Sequence, residues 1–320
     1  MDEALRILSE TGRWRARNVK YWAGSWNRIR EQLPTFTTED FQTREDGPAN
    51  PYLKAVVRQP LNVTEKAIPV GVVSFSYTLA QHLTVGEKCL EGLKSIGVET
   101  ANIDCEVGLT QLGEWMNLRF YLPDPYNWTP PDKHPIRLRL ECTNSVDGSS
   151  RLVILLSWLR LVCSNGLVVR ESKTEIRDIH NDRLNLDKIP EVINESMTFI
   201  DKDVNRLMKW SNRRVQIESL VTWVNVPLSN RWGKKAACRV FHICESGHDV
   251  ELTDPFASGT AIEKPVQKLG PVPGAPERVK NVYDVSQALS WIATNRTNTE
   301  ERLIWQSQIP EIVDELIVTL

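Results

Sequence analysis

The 320-residue sequence lacks a long uncharged hydrophobic run, so no segment has the composition of a membrane-spanning helix. The nearest one, Leu152 to Val169, is interrupted by Arg160 and contains an Asn-Gly turn pair near its end. The first ten residues, MDEALRILSE, contain acids at once and no apolar core followed by small residues, unlike a signal peptide. We therefore expect a cytoplasmic protein with no membrane partner.

Cysteine is also scarce, and the composition has no strong excess of either charge. The six cysteines lie mostly in apolar segments, which indicates a reducing compartment rather than a disulfide framework. The formal net charge of -2 excludes a uniformly basic surface that would bind nucleic acid everywhere. Phosphate-binding loops, dinucleotide fingerprints and deaminase zinc motifs are missing from the sequence, and we expect no cofactor.

Positive charge is instead concentrated in two segments. Residues 11–30 contain six basic residues, four aromatic residues and no acid. Residues 205–240 contain eight basic residues and one acid, Glu218. The candidate nucleic-acid-binding residues from these segments are Arg13, Arg15, Arg17, Lys20, Trp22, Trp26, Arg28, Arg30, Arg213, Arg214, Lys234 and Lys235.

Alternating polar and apolar residues predict two strands in the middle of the chain. Residues 116–122 and 136–142 each alternate in this way, which indicates half-buried strands with a polar outer face. If the strands are neighbours, this face presents Arg119, Tyr121, Arg137 and Arg139. Clustered cations displace counterions from phosphates, and exposed aromatic rings stack on unpaired bases. The alternative is that these arginines pair with Glu114, Glu141 and other acids on an ordinary solvated face.

Helical periodicity predicts an α+β protein whose central antiparallel sheet is packed by amphipathic helices. Apolar residues recur at helical spacing in 84–96, in 188–210 and near the C-terminus. We predict a basic, aromatic and helical N-terminal segment with a linker (1–65), an α+β core domain (66–265), and a connector with C-terminal helices (266–320).

The stretch NSVDGSSRLVILLSWLRLVCSNG, residues 144–166, predicts two corners around one strand. Asp147-Gly148 and Asn165-Gly166 are hairpin turn pairs, so a strand, a turn at 146–149, a second strand, a turn at 164–166 and a third strand should follow each other. The polar residues Asp147 and Ser149 are then turn residues rather than a catalytic pair.

The same stretch carries a family resemblance. The segment RLRLECTNSVDGSSRLVILLSWLRLVCSNGLVV resembles phage- and plasmid-associated proteins of unknown function, which have a C-[ST]-N-G motif after a strand hairpin, and NVYDVSQALSW resembles their near-C-terminal helix. The resemblance covers most of residues 70–310. It implies a setting in mobile genetic elements, with a role in DNA transactions or in defence and counter-defence, and it assigns no catalytic residue.

Two other chemistries are open on the sequence. Cys238, His242, Cys244 and His248 are residues that zinc prefers, and three of them would share a face if 238–244 were a strand. The spacing is not a familiar zinc pattern, so buried cysteines and a core histidine are the alternative.

Catalysis by a cysteine is less favoured. Cys163 could act as a nucleophile with His82, His134 or His180 as its base, but no Cys/His signature surrounds it.

We therefore expect a non-catalytic protein that binds DNA, in single-stranded form, and assembles as a homo-oligomer. The alternative is a protein-interaction factor that modulates or inhibits a host defence complex. Eleven tryptophans are more than a core of this size needs, and aromatic residues with arginine are typical of interface hot spots.

Overall fold

The structure, a computed structural model, describes residues 6–7, 12–14, 17–43, 47–101, 103–124, 126–160, 165–167 and 176–320. Antiparallel sheets and helices make it an α+β protein, which confirms the predicted fold class. It divides into two compact units, the first made of Met1–Asp124, Arg139–Leu156 and Lys173–Thr198, and the second of Pro125–Leu138, Ser157–Ser172 and Phe199–Leu320. The boundaries predicted at 65 and 265 fall inside the first and the second unit respectively.

Fifteen strands and eight α-helices are present in the described part of the chain. The strands are β1 (Arg6–Ile7), β2 (Gly12–Trp14), β3 (Arg17–Ser25), β4 (Phe36–Asp40), β5 (Leu53–Arg58), β6 (Ile68–Ser74), β7 (Asp104–Thr110), β8 (Trp115–Tyr121), β9 (Asn127–Trp128), β10 (Ile136–Ser145), β11 (Leu152–Arg160), β12 (Asn165–Leu167), β13 (Ile176–Asp178), β14 (His248–Leu252) and β15 (Val266–Pro271). The helices are α1 (Trp26–Ile29), α2 (His82–Ser95), α3 (Lys188–Met197), α4 (Ile200–Asn212), α5 (Ile217–Trp223), α6 (Ser229–Ser246), α7 (Val282–Thr294) and α8 (Thr299–Thr319).

The first unit is built on an antiparallel sheet with the strand order β1-β3-β7-β8-β10-β11. The predicted strands at 116–122 and 136–142 are confirmed as β8 and β10, which pair from Arg139 opposite Tyr121 to Ser145 opposite Trp115. The predicted turn between β10 and β11 is also confirmed, with Gly148 at a φ of 73°. The next predicted turn differs, because Asn165 and Gly166 belong to β12, and Cys163 lies outside the described residues.

One face of this sheet is covered by α2. The helix buries Val85, Cys89 and Leu93 at helical spacing, as predicted, although it begins at His82 rather than at Thr84. Gly86 lets the helix approach closely, because a Cβ there would lie 2.3 Å from the Trp26 ring.

His82 fastens the beginning of α2 to the sheet. It is fully buried, and its Nε2–H donates to the Gly113 carbonyl at 2.8 Å. Its Nδ1 accepts from the Asn144 side-chain amide at 2.9 Å, and that amide also donates to the Ala80 carbonyl at 2.8 Å. Because a carbonyl can only accept, these partners select the neutral Nε2–H tautomer. Burial lowers the pKa of His82 to about 4.

A smaller antiparallel sheet of β4, β5 and β6 extends the first unit. Phe36, Val56 and Val73 form a cluster with Val146 from the turn after β10. Gly71 of β6 lies against that turn, since a Cβ there would be 2.6 Å from Cβ of Asp147. The small sheet therefore holds the turn from one side.

The second unit is mainly helical, with a β14-β15 hairpin. A π-helical segment, Val224–Leu228, joins α5 to α6. Trp223 donates to the Ile312 carbonyl at 3.2 Å, and Trp232 stacks on Trp305 at 4.5 Å, so tryptophans fasten the α5–α6 segment to α8. Among the described residues, no helix combines the length and the apolar character that a membrane crossing needs.

Two sequence-based assignments were wrong. The helix predicted at 188–210 is two helices, α3 and α4, separated at Thr198 and Phe199, where the first unit gives way to the second. The N-terminal segment predicted as helical contains the strand β3, which pairs with β7 from Val19 to Ser25, before the short helix α1. The condition for three zinc ligands on one face, a strand at 238–244, is not met, because these residues belong to α6.

The His82 contacts predict a pH dependence of stability. Unfolded His82 takes up a proton below about pH 6.5, whereas the folded side chain resists protonation until about pH 4. Lowering the pH through this window should therefore remove about 3 kcal/mol of unfolding free energy. Urea unfolding followed by tryptophan fluorescence at several pH values measures it. His82→Gln should be less stable at neutral pH and should show a shallower slope in this window, and an unchanged slope would contradict the assignment.

Candidate nucleic-acid interface

The strands β7, β8 and β10 bring their charged residues to one face of the main sheet. Arg119 lies opposite Glu106 on β7 and opposite Glu141 on β10, and Arg139 lies opposite Tyr121. The predicted arginine-bearing face therefore exists. It is nevertheless buried, since Arg119 is 7% exposed, Arg139 3% and Glu141 1%.

Glu141 is the centre of a buried ionic network on this face. Its Oε1 accepts from Arg119 Nε at 3.2 Å and from the Asn117 amide at 2.9 Å, and its Oε2 accepts from Arg139 Nη2 at 2.7 Å. Arg119 Nη1 also donates to Glu106 Oε2 at 3.1 Å. Burial would lower the pKa of Arg119, but Glu141 and further neighbours hold it well above its usual value.

This network corrects the prediction of an exposed surface made of Arg119, Tyr121, Arg137 and Arg139. Tyr121 is buried and donates to Glu106 at 2.7 Å, and burial raises its pKa to about 12. Arg137 is half-buried and already interacts with another group of the protein. The alternative of pairing with Glu141 is confirmed for Arg119 and Arg139, on a buried face rather than a solvated one.

The turn after β10 anchors the N-terminal strands. Arg17 Nη1 lies 2.5 Å from Glu114 Oε1 and 2.9 Å from Asp147 Oδ2. The hydrogen bond that Arg17 donates to Asp147 is the main reason that the pKa of Arg17 is raised. Trp14 Nε1 donates to Ser149 Oγ at 3.2 Å. Asp147 and Ser149 therefore bind other parts of the first unit, in addition to forming the predicted turn.

The N-terminal tryptophans are not all available for stacking on bases. Trp26 is buried against Phe120, with ring centroids 5.5 Å apart, so its predicted role as a stacking platform is wrong. Trp14 stacks on Trp115 at 4.6 Å inside the fold. Trp22 is half-buried on β3.

Some of the N-terminal cations lie beside acidic side chains. Arg28 lies 3.8 Å from Glu31, and Arg30 lies 3.0 Å from Glu87, so opposite charges lie beside both arginines. Lys20 is exposed on β3. The side chains of Arg13 and Arg15 lie outside the part of the chain that the structure describes. The N-terminal segment thus contributes fewer free cations than its sequence indicates.

Arg213 and Arg214, in the second unit, are brought beside a third cation. Arg214 forms a β-bridge with Asn281, and the Val282 N–H donates to the Arg213 carbonyl at 2.9 Å. This pairing places the backbone of Lys280 close to the backbone of both arginines. We call Arg213, Arg214 and Lys280 the basic cluster; all three are exposed, and in the described part of the chain no carboxylate forms an ion pair with any of their three side chains.

Lys234 and Lys235 lie on the exposed side of α6. Lys234 Nζ donates to the Gly259 carbonyl at 2.9 Å, in the loop that also carries Phe256. Phe256 is 96% exposed. Lys234, Lys235 and Phe256, named here the lysine–phenylalanine patch, combine cations with an aromatic ring that solvent can reach.

Three of the other four cations of residues 205–240 are neutralised by acids from outside the segment. The pairs are Arg206 with Asp314 at 2.6 Å, Arg231 with Glu311 at 3.0 Å and with Glu315 at 2.6 Å, and Arg239 with Asp249 at 2.5 Å. Their partners come from α8 and β14, outside the basic segment. Counting acids within the segment therefore overestimated its free positive charge.

The candidate metal ligands are not brought together. On α6, Cys238 and His242 are one turn apart, while Cys244 lies on a different side of the helix, and His248 begins β14. Burial raises the pKa of Cys238 to about 11, which disfavours a metal-binding thiolate. Within the described residues, no group of three or more histidine, cysteine or acidic side chains is arranged to hold a metal ion.

The histidines considered as bases for Cys163 occupy three different environments. His82 is fully buried and bonded on both nitrogens. His180 stacks on Tyr77 at 5.2 Å, and burial lowers its pKa. His134 lines a cleft in the second unit.

A model of the family described as domain of unknown function (DUF932) matches residues 69–242, more than half of the chain. The chain belongs to the DUF932 family. Membership of a family of unknown function is thereby confirmed. No curated protein and no solved structure matches the chain. The DUF932 segment includes the Glu141 network, Arg213, Arg214 and both lysines of α6, whereas Arg17, Phe256 and Lys280 lie outside it.

Sequence reasoning missed three features of this DUF932 protein. Glu141 appeared only as one partner for the arginines, and Lys280 lay in a segment interpreted as a connector. Phe256 was not singled out, although it lies in a short polar stretch, TDPFASGT, where an apolar residue has little to pack against. That contrast is the one signal that could have identified it.

The Glu141 network predicts a large loss of stability in Glu141→Gln. The variant leaves Arg119 and Arg139 buried without their shared carboxylate, which should lower the unfolding free energy by about 3–5 kcal/mol. Urea unfolding measures the loss. The matched control is Glu91→Gln, because Glu91 is 60% exposed and pairs with Lys88 on the surface of α2, so its loss should stay below about 1 kcal/mol. Equal losses in both variants would contradict a special role for Glu141.

Proposed function

We propose that this DUF932 protein is a non-catalytic DNA-binding protein of mobile genetic elements, which acts in the cytoplasm on single strands as an annealing or protecting factor and assembles as a homo-oligomer. The observation that carries the proposal is the basic cluster, in which Arg213, Arg214 and Lys280 are exposed and their side chains form no ion pair with a carboxylate of the described residues. The mobile-element setting rests on the resemblance of residues 137–169 to phage- and plasmid-associated proteins.

Free cations are the relevant property, because phosphate contacts gain affinity by releasing the counterions condensed on DNA. A cation that is already paired with a carboxylate cannot do this without breaking the pair. By this criterion the basic cluster and Lys235 are suitable, whereas Arg119, Arg139 and Arg231 are not.

The lysine–phenylalanine patch favours single strands in particular. Unpaired bases stack on exposed aromatic rings with about 1–3 kcal/mol each, and duplex bases are not accessible to such a ring. Phe256, exposed and close in the chain to the carbonyl that binds Lys234, supplies such a ring beside positive charge.

The second candidate function, a protein-interaction factor that acts on a host defence complex, is favoured by a different observation. The small sheet of the first unit and its loops expose large apolar side chains: Tyr52 is 77% exposed, Phe75 61% and Val72 47%. Exposed apolar groups that are close together are typical of protein interfaces.

We expect Arg213→Ala with Arg214→Ala to weaken the binding of single-stranded DNA. Fluorescence anisotropy with a labelled oligonucleotide across a salt series measures the Kd and its salt dependence. Each phosphate contact on a single strand contributes about 0.7 to the slope of log Kd against log salt, so losing two contacts should reduce the slope by about 1.4.

The matched control is Arg231→Ala, which removes an exposed arginine that Glu311 and Glu315 already neutralise. It should change neither the Kd nor the slope appreciably. Salt-independent binding, or no binding, by the unmodified protein would contradict the proposed function and favour the interaction role. An unchanged slope in the double variant would mean that Arg213 and Arg214 do not contact phosphates, and the lysine–phenylalanine patch would then be the candidate interface.

A further inference from the structure

The second unit contains a polar cleft of about 240 Å³, separate from the proposed phosphate contacts. Asp132 and His134 come from the loop before β10, Arg160 ends β11, and Asp284 and Gln287 lie on the first turns of α7. Ala275 and Pro276 form an apolar part of its wall. The cleft therefore collects donors, acceptors and an apolar surface from separate parts of the unit.

Gln287 is the most informative residue of the cleft. It is only 6% exposed, and in the described residues neither its amide nitrogen nor its amide oxygen has a hydrogen-bond partner. Native proteins seldom leave a buried amide unpaired on both atoms, so such a group in the wall of a cleft points to a ligand that pairs with it. Arg160 Nε is unpaired in the same cleft.

The charge of the cleft restricts that ligand. Arg160 donates to Asp132 at 2.7 Å and to the Gly274 carbonyl at 3.0 Å, so its positive charge is already neutralised. Asp284 adds a second carboxylate to the wall. Two carboxylates against one guanidinium disfavour phosphate and other anions, and they favour a neutral ligand that can donate hydrogen bonds.

The cleft is connected to the basic cluster through the backbone of Lys280. The Lys280 N–H donates to Asp284 Oδ2 at 2.8 Å, while the Lys280 carbonyl accepts from the Val215 N–H at 3.1 Å, beside Arg213 and Arg214. A chain held by the basic cluster would thus pass close to the mouth of the cleft.

We propose that the cleft binds one unpaired nucleobase carrying an exocyclic amino group, from the strand that the basic cluster holds; this inference rests on the proposed function. A glutamine amide offers one donor and one acceptor side by side, and a carboxylate in the same wall adds a second acceptor. The exocyclic amino group of adenine, cytosine or guanine has two N–H bonds, one for each acceptor, whereas thymine has a single N–H on this edge. The Pro276 ring and the His134 imidazole supply surfaces on which the face of a base can pack.

The test uses free nucleosides, which carry no phosphate and therefore report on the cleft alone. Isothermal titration calorimetry of the full chain with deoxyadenosine, deoxycytidine and thymidine should show binding of the two amino-bearing nucleosides and at least tenfold weaker binding of thymidine. Gln287→Met should weaken the binding of deoxycytidine at least tenfold. Thermal unfolding followed by circular dichroism should show that Gln287→Met remains folded, because the substitution removes two unpaired polar atoms without changing the volume much.

The matched control is Gln306→Met, a second buried glutamine of the second unit, whose amide nitrogen donates to Thr294 Oγ1 at 3.0 Å away from the cleft. It should leave nucleoside binding unchanged. Equal binding by the Gln287 and Gln306 variants, or equal binding of thymidine and deoxycytidine, would overturn the proposed site.

The same nucleosides separate this inference from the proposed function. If oligonucleotides bind with the expected salt dependence but no nucleoside binds, the base-binding cleft is wrong and the DNA-binding function stands. If nucleosides bind through Gln287 but oligonucleotides do not, the cleft is a nucleoside site, and its assignment to a DNA strand is overturned with the proposed function.

Discussion

The buried carboxylate of Glu141 is the interaction on which the arrangement of the first unit depends. It accepts hydrogen bonds from Arg119, Arg139 and Asn117 and thereby joins β8 to β10, while Glu106 extends the network to β7. Two guanidinium groups and two carboxylates leave no net charge, so the burial of this face does not isolate an ion. A slip of one residue between β8 and β10 would turn these charges toward the apolar face under α2. The network thus fixes the register of the central strands, and with it the position of the turn that holds Arg17.

The sequence predicted which residues of this unit form strands and share a face, but it did not predict which face is buried. Alternation identified β8 and β10 and assigned Arg119 and Arg139 to one face, because side-chain direction follows from backbone geometry. It could not show that this face is buried, since burial depends on residues that approach from elsewhere in the chain. In the same way, 188–210 has one continuous apolar periodicity, and no glycine or proline marks the break at Thr198 and Phe199. The break coincides with a boundary between compact units, which periodicity does not record.

Charge was predictable only where the partners are close in sequence. Residues 205–240 contain eight cations, but Arg231 pairs with Glu311 and Glu315 about 80 positions later, and Arg239 pairs with Asp249 across the start of β14. Such long-range pairs neutralise a segment that the sequence shows as basic. Arg213 and Arg214 are not neutralised in this way. Their backbone pairs with the segment around Lys280 and Asn281, which brings a cation rather than an acid. A candidate phosphate-binding surface is therefore distinguished by the chain segment that lies beside it. The local density of arginine in the sequence does not reveal that segment.

The cleft of the second unit could not be predicted from the sequence either, because it is formed by residues that are distant in the chain. Its residues come from a proline-rich loop, the end of β11, a connector and α7, and none of them forms a local motif. The helix α7 nevertheless has an unusual property, because Ser286, Gln287 and Ser290 are buried together with the apolar residues around them. The Ser286 hydroxyl donates a hydrogen bond to the Tyr283 carbonyl on the preceding turn. The amide of Gln287, in contrast, has no hydrogen-bond acceptor or donor among the described residues. A helix that is apolar on every side could pack in this position without Gln287. An amide kept unpaired beside Arg160 and Asp284 therefore fits a requirement of binding better than a requirement of folding.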